Sequence, residues 1–183
     1  MRFFMTALPS PDIHHLSAAE GWLELGNAHE ALAELDRISK AAQGRAEVLG
    51  VRWGILAKFK LWEQSVAVAT RIVEIAPEEV FGWIHRSYAL HELKRTRDAR
   101  DLLLPATKLF PKVETIPYNL ACYECQLGDL PAARDWLRRA MKLHNRADIK
   151  VRALEDSDLK PLWPEIEAMP TSARIRGSDG WAT

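Results

Sequence analysis

Leu25-Gly26-Asn27, Phe59-Lys60-Leu61, Leu93-Lys94-Arg95 and Leu127-Gly128-Asp129 each close one apolar periodic stretch and precede another that contains alanine. They recur every 34 residues, four times, without an insertion. A fixed period of this length is the signature of stacked supersecondary units, each too small to bury its own apolar face alone.

Framed to start at Asp12, Ala46, Val80 and Glu114, the units align in columns. The twentieth place is Ala31, Ser65, Ala99 and Ala133, small every time, as two closely approaching helices require. The twenty-fourth place is Leu35, Ala69, Leu103 and Leu137, and the twenty-seventh is Ile38, Ile72, Ala106 and Ala140. Steps of four and three put all three columns on one face of a second helix. In the first helix, the eleventh place (Trp22, Leu56, Leu90, Glu124) and the fourteenth (Leu25, Phe59, Leu93, Leu127) predict a buried stripe. Gly26 and Gly128 suit a left-handed helix end, while Asn27 and Asp129 suit the cap of the helix that follows.

Prolines punctuate the pattern. Pro77 and Pro111 stand at the thirty-second place, where they stop the second helix. Pro117 is tolerated if Thr115 caps its helix, and Pro131 sits just after Asp129 in the same way. Pro105 lies well inside a second helix and predicts a bend there.

These columns resemble the tetratricopeptide repeat family, a 34-residue helix-turn-helix unit with small residues at the eighth and twentieth places and proline near the thirty-second. The resemblance covers 12–147, as repeats 12–45, 46–79, 80–113 and 114–147. Departures are Trp53 at an eighth place, otherwise Ala19, Ser87 and Ala121; Lys60 and Lys94 for the turn glycine; Gln43 and Asn145 for the late proline; and Pro117 where an aromatic is common. The implied fold is all-α, a right-handed superhelix (α-α solenoid) of four helix pairs. Residues 1–11 form a leader, 148–169 supply capping helices with Leu159, Leu162, Trp163 and Ile166 on one apolar face, and 170–183 a flexible tail.

The resemblance also implies that the second, fifth, ninth and twelfth places of the first helices line a concave groove. The groove residues expected to meet a partner are Phe81, Ile84, Tyr88, His91, Tyr118, Asn119 and Cys122. Gly50 and Gly54 would leave room for close approach of a partner, and such a wall suits an apolar or amphipathic segment. The competing occupants are the chain's own leader, Phe3-Phe4-Met5, and its tail with Trp181. The family's chaperone-tail clamp needs lysine at the fifth place, and Leu16, Gly50, Ile84 and Tyr118 stand there instead.

Cys122 and Cys125 form a C-x-x-C on one helical face, with His91 and His85 in the preceding unit, a set that could hold zinc; packing thiols are the commoner meaning. Lys94, Arg95, Arg97, Arg100, Arg134, Arg138, Arg139 and Lys142 could align on the outer helices, but Asp98, Asp101 and Asp135 are interleaved, so a solvated, ion-paired face is expected rather than a nucleic-acid site. No G-x-S-x-G, phosphate-binding glycine loop or H-E-x-x-H is present, and no catalytic set, cofactor or metal is expected. Lys plus Arg and Asp plus Glu both number 25, which gives no long-range pull toward nucleic acid or anionic lipid.

No apolar run approaches the ~18–20 residues of a membrane span, and the stretch before Pro9 falls short of the ~7–15 of a signal core. The two cysteines are too few for a disulfide framework, so the expectation is a cytoplasmic protein. The functional expectation is a non-catalytic module that holds a protein or peptide. The alternatives are a self-assembling structural subunit, in which an uncovered end packs on a second copy as a homodimer, or a specialised chaperone.

Overall fold

A computed structural model of the chain describes residues 7–170, and within them every regular element is helical. The expected leader contacts of Phe3, Phe4 and Met5 and those of Trp181 lie outside the described residues. The chain divides into two compact units, one up to Leu109 and one from Phe110.

The first unit contains three hairpins: α1 Ser10–Glu24 with α2 Ala28–Arg37, α3 Ala46–Lys58 with α4 Trp62–Ile75, and α5 Val80–Glu92 with α6 Thr96–Leu103, followed by the short α7 Ala106–Leu109. Each first helix packs on its own partner, and α5 also packs extensively on α4. The second unit contains α8 Thr115–Leu127 with α9 Leu130–Leu143, then α10 Arg146–Glu155, a 3-10 turn Ser157–Leu162, and α11 Trp163–Ala168.

The three second-helix columns are the core. All twelve of their side chains are at most 2% exposed, from Ala31, Leu35 and Ile38 in the first repeat to Ala133, Leu137 and Ala140 in the fourth. Burial of each large aliphatic side chain here stabilises by about 1.5–3 kcal/mol. The small twentieth place sets the interhelix distance. At Gly82 the same closeness is extreme, since a Cβ there would stand 3.0 Å from the backbone nitrogen of Val73.

All four interhelix turns share one geometry. The amides of Asn27, Leu61, Arg95 and Asp129 each donate to the carbonyl five residues back, at 2.9 Å in every case. The preceding residue donates three residues back and takes a positive φ, +79° at Gly26 and +87° at Gly128, but also +57° at Lys60 and +63° at Lys94. This is the helix-end motif that glycine favours, because a Cβ crowds the backbone in the left-handed region. Asn27 Oδ1 and Asp129 Oδ1 then accept from the amides of Glu30 and Ala132 at 3.3 and 3.0 Å, capping α2 and α9 as expected.

The fourteenth place is not a buried stripe. Leu25 is 77% and Phe59 43% exposed, because this residue is the last before the left-handed turn and its side chain falls outside the helix pair. Thr115 does not cap α8. Glu114 occupies the cap, and Pro117 remains in the first turn, where a missing amide costs no intrahelical bond. Pro105 does more than bend its helix: α6 ends at Leu103 and α7 resumes at Ala106.

The first repeat ends its second helix early, at Arg37. Buried Asp12 accepts from the Ser39 amide at 2.8 Å and the Ser39 hydroxyl at 2.6 Å, which fastens the end of α2 to the start of α1. These bonds hold the Asp12 carboxyl below the usual range. Gln43, in the place of the late proline, donates to the Ile38 carbonyl at 3.1 Å.

Candidate functional site

In the first unit, α3, α4 and α5 bring five rings together. Phe81 and His85, one turn apart on α5, stack with centroids 3.8 Å apart. Trp53 meets Phe81, His85 and Tyr88 edge to face at 5.9, 4.2 and 6.5 Å, and Trp62 meets Tyr88 at 5.7 Å. Trp53 itself is buried, Phe81, His85 and Trp62 are half-buried, and Tyr88 is 41% exposed. Aromatic area that is held rigid by its neighbours and open on one side is the usual material of a recognition hot spot.

Two polar atoms sharpen this cluster. The His85 Nδ1–H donates to the Phe81 carbonyl at 2.9 Å, and burial holds the ring below its ordinary pKa, that hydrogen bond opposing the shift. Trp53 Nε1 is a buried donor with no acceptor among the described residues. A buried N–H without an acceptor carries a desolvation penalty.

Of the expected contacts on α5, Phe81, Ile84 and Tyr88 are accessible in part, whereas His91 is buried with Nδ1 3.0 Å from Thr96 Oγ1. The room expected over Gly50 and Gly54 is filled by the chain itself. Phe81 Cζ and Leu23 Cδ2 lie 3.9 and 3.4 Å from where their Cβ atoms would stand. Trp53 and Trp62 were not among the expected site residues. Trp53 announced itself only as a bulky exception to the small eighth place, and Trp62 follows the turn of the second repeat, where no column marks it.

In the second unit the expected contacts on α8 are covered from within. Tyr118, 1% exposed, donates its hydroxyl to Asp156 Oδ2 at 2.9 Å, and the Arg152 guanidinium stands 3.8 Å from its ring centroid. The Cys122 thiol donates to the same Asp156 oxygen at 3.5 Å, and Gln126 Nε2 donates to the Asp158 carbonyl at 2.9 Å. Leu159 and Leu162 of the 3-10 turn are at most 1% exposed beneath this network. Tyr118 and Cys122 therefore serve as a seat for the chain's own 157–162, and Asn119 is half-buried beside them.

The same burial answers the thiol question in physical terms. Burial, then the Asp156 carboxylate, pushes the Cys122 thiol up, and burial with Asp158 and Asp156 does the same to Cys125. Zinc binding and thiol exchange need the thiolate, which this surrounding disfavours. No group of three metal-ligating side chains comes together among the described residues. The basic outer face is partly ion-paired, through Arg95–Asp98, Arg100–Asp101, Arg134–Glu165 and Arg138–Asp135.

No protein-family model and no curated protein matches the chain. Solved structures do. A crystal structure of MamA protein superposes with a TM-score of 0.69 at 14% identity, covering 86% of this chain and 87% of that one. A thermophilic TPR protein of Thermus thermophilus gives 0.64 at 18% identity, over 86% of this chain and 100% of the other. The pilF protein of Pseudomonas aeruginosa gives 0.68 at 19% identity, over 86% and 70% respectively.

Proposed function

From its tetratricopeptide-repeat fold, we propose that this protein is a non-catalytic interaction module that holds an apolar or amphipathic segment of another protein. The site is the aromatic surface of its first unit. The observation that carries this is Tyr88, 41% exposed against Trp53 and Trp62, which hold its ring edge to face without covering it. Phe81 and Ile84, both half-buried, extend the surface along α5. Tyr118 and Cys122 contribute indirectly, by closing the corresponding face of α8.

The test begins with peptides selected by display on the intact protein, their binding followed by tryptophan fluorescence. Selected sequences should carry aromatic or large aliphatic residues. Tyr88→Ala should weaken them by about 2 kcal/mol, roughly 30-fold, with an unchanged helical circular dichroism spectrum. Peptides that bind the variant as tightly as the wild type would remove this surface from consideration.

Self-assembly has one observation in its favour, the exposed Leu25, Phe59 and Leu61 at successive hairpin turns. A monomer by sedimentation up to high micromolar concentration would eliminate it. Among the described residues no helix is long and apolar enough to cross a membrane. The buried free thiols Cys122 and Cys125 fit a reducing cytoplasm. Recovery of the protein in an extracellular or periplasmic fraction would contradict that placement.

A further inference from the structure

The second unit carries a row of cations at four-residue steps: Arg134, Arg138 and Lys142 on α9, then Arg146 and Lys150 on α10. Its two ends are occupied by the C-terminal segment. Arg134 donates to both carboxylate oxygens of Glu165, at 2.5 and 2.6 Å, and Lys150 donates to the carbonyls of Glu167 and Met169, both at 2.7 Å. Arg138, Lys142 and Arg146 stand between them. With Met141 and Met169, Arg138, Lys142 and Arg146 line an open cavity of about 230 Å³.

Their own neighbours neutralise them only in part: Arg138 feels the carboxylates of Asp135 and Glu165. Arg138 touches Asp135 one turn back at 2.9 Å, in a pair more than half exposed on both sides and therefore weak. Lys142 and Arg146 have no acidic partner among the described residues, and Asp148, the acid next to Arg146 in sequence, lies against His144 at 3.6 Å. Arg138 and Lys142 are four apart on one helix, an arrangement of like charges that repels. A cavity walled by three convergent cations is electrostatically incomplete, and an anion placed in it interacts with all three at once.

We propose that this cavity binds an acidic segment of a partner protein, an Asp or Glu carboxylate sitting among Arg138, Lys142 and Arg146 while an adjoining apolar side chain lies on Met141 and Met169. The two methionines favour a peptide over a bare oxyanion, since their thioethers adapt to apolar contacts and offer nothing to a phosphate. Nucleic acid is disfavoured because Glu165 closes the row at one end and Asp135 flanks it. The site lies in the second unit and does not depend on the aromatic surface of the first.

The experiment is an NMR titration of the full chain with the capped peptide Asp-Leu-Glu-Leu-Asp, its neutral counterpart Asn-Leu-Gln-Leu-Asn, and inorganic phosphate. The acidic peptide should shift amides around the α9–α10 junction, bind more weakly as salt is raised, and lose at least tenfold in affinity with Lys142→Glu or Arg146→Glu. Lys160→Glu, on an exposed residue of the 3-10 turn, should leave binding unchanged. Lys142→Gln provides a milder variant should charge reversal perturb folding. Equal binding of the neutral peptide, or unchanged affinity in both cavity variants, overturns the proposal. Phosphate producing the same shifts at the same concentrations reassigns the cavity to free oxyanions. Binding seen only after removal of residues 171–183 reassigns it to the chain's own tail.

Discussion

Gly82 offers the sharpest test of the packing. A methyl group built there would stand 2.9 Å from Val73 Cγ2, 3.0 Å from Ile72 Cγ2 and 3.0 Å from the Val73 backbone nitrogen. Two of these could in principle turn aside, but Ile72 is 1% exposed with nowhere to go, and a backbone atom moves only if α4 moves. Overpacking of this kind costs about 1–3 kcal/mol. The gain in helix propensity from Gly to Ala returns about 0.5–1 kcal/mol. Gly82→Ala should therefore destabilise by roughly 1 kcal/mol net. Gly21, inside α1 with nothing within 4 Å of its hypothetical Cβ, is the internal control, and Gly21→Ala should stabilise by about 0.5–1 kcal/mol. Urea unfolding followed by tryptophan fluorescence measures both; at a slope of about 1–3 kcal/mol per molar, the midpoints should move in opposite directions by several tenths molar or more. Gly82→Ala with a midpoint equal to or above the wild type would refute the claim that α4 and α5 are locked by contact at this residue.

Other expectations follow from single features. Lys60→Gly and Lys94→Gly should each raise stability by about 0.5–1 kcal/mol, because φ of +57° and +63° strains any residue with a Cβ; a loss in thermal denaturation would show that the lysine side chains contribute more than the strain. His85 has its folded pKa held below the unfolded value near 6.5, so the unfolded chain binds more protons in acid. Its contribution is complete above about pH 6.5 and falls away below it. Wild type should thus lose stability relative to His85→Phe between about pH 7.5 and pH 5.5, and parallel curves would refute it. Cys122 and Cys125, buried thiols pushed up in pKa, should resist iodoacetamide at about pH 8 until the second unit opens; rapid native alkylation of Cys122 would show the Asp156 network to be open in solution.

The scaffold was legible because its determinants are local and repeated. Ala31, Ser65, Ala99 and Ala133 announce a close helix crossing by size alone, and Asn27 and Asp129 announce caps by chemistry. What the period could not reveal is contact between elements that the repeat does not relate. Tyr118 occupies a groove place in its own column, yet Asp156, 38 residues later and outside every repeat, takes its hydroxyl. The aromatic surface was read in half. Phe81 and Tyr88 followed from the column rule, while Trp53 and Trp62 join them through the packing of neighbouring helices, which has no signature in a single unit. Leu25 and Phe59 misled for the opposite reason, since an apolar column can mark a turn as well as a core.

The closure of α8 bears on how many ligands such an array can hold at once. Its sequence repeats four times, and a count of repeats would assign it four equivalent recognition faces. With Tyr118, Cys122 and Gln126 engaged by Asp156 and Asp158, this face of α8 is a satisfied internal complex, saturated at any concentration of outside ligand because its ligand is covalently attached. The number of groove faces open to a partner is thus lower than the periodicity, and the footprint of a partner held on the aromatic surface should leave Tyr118, Cys122 and Gln126 of α8 untouched.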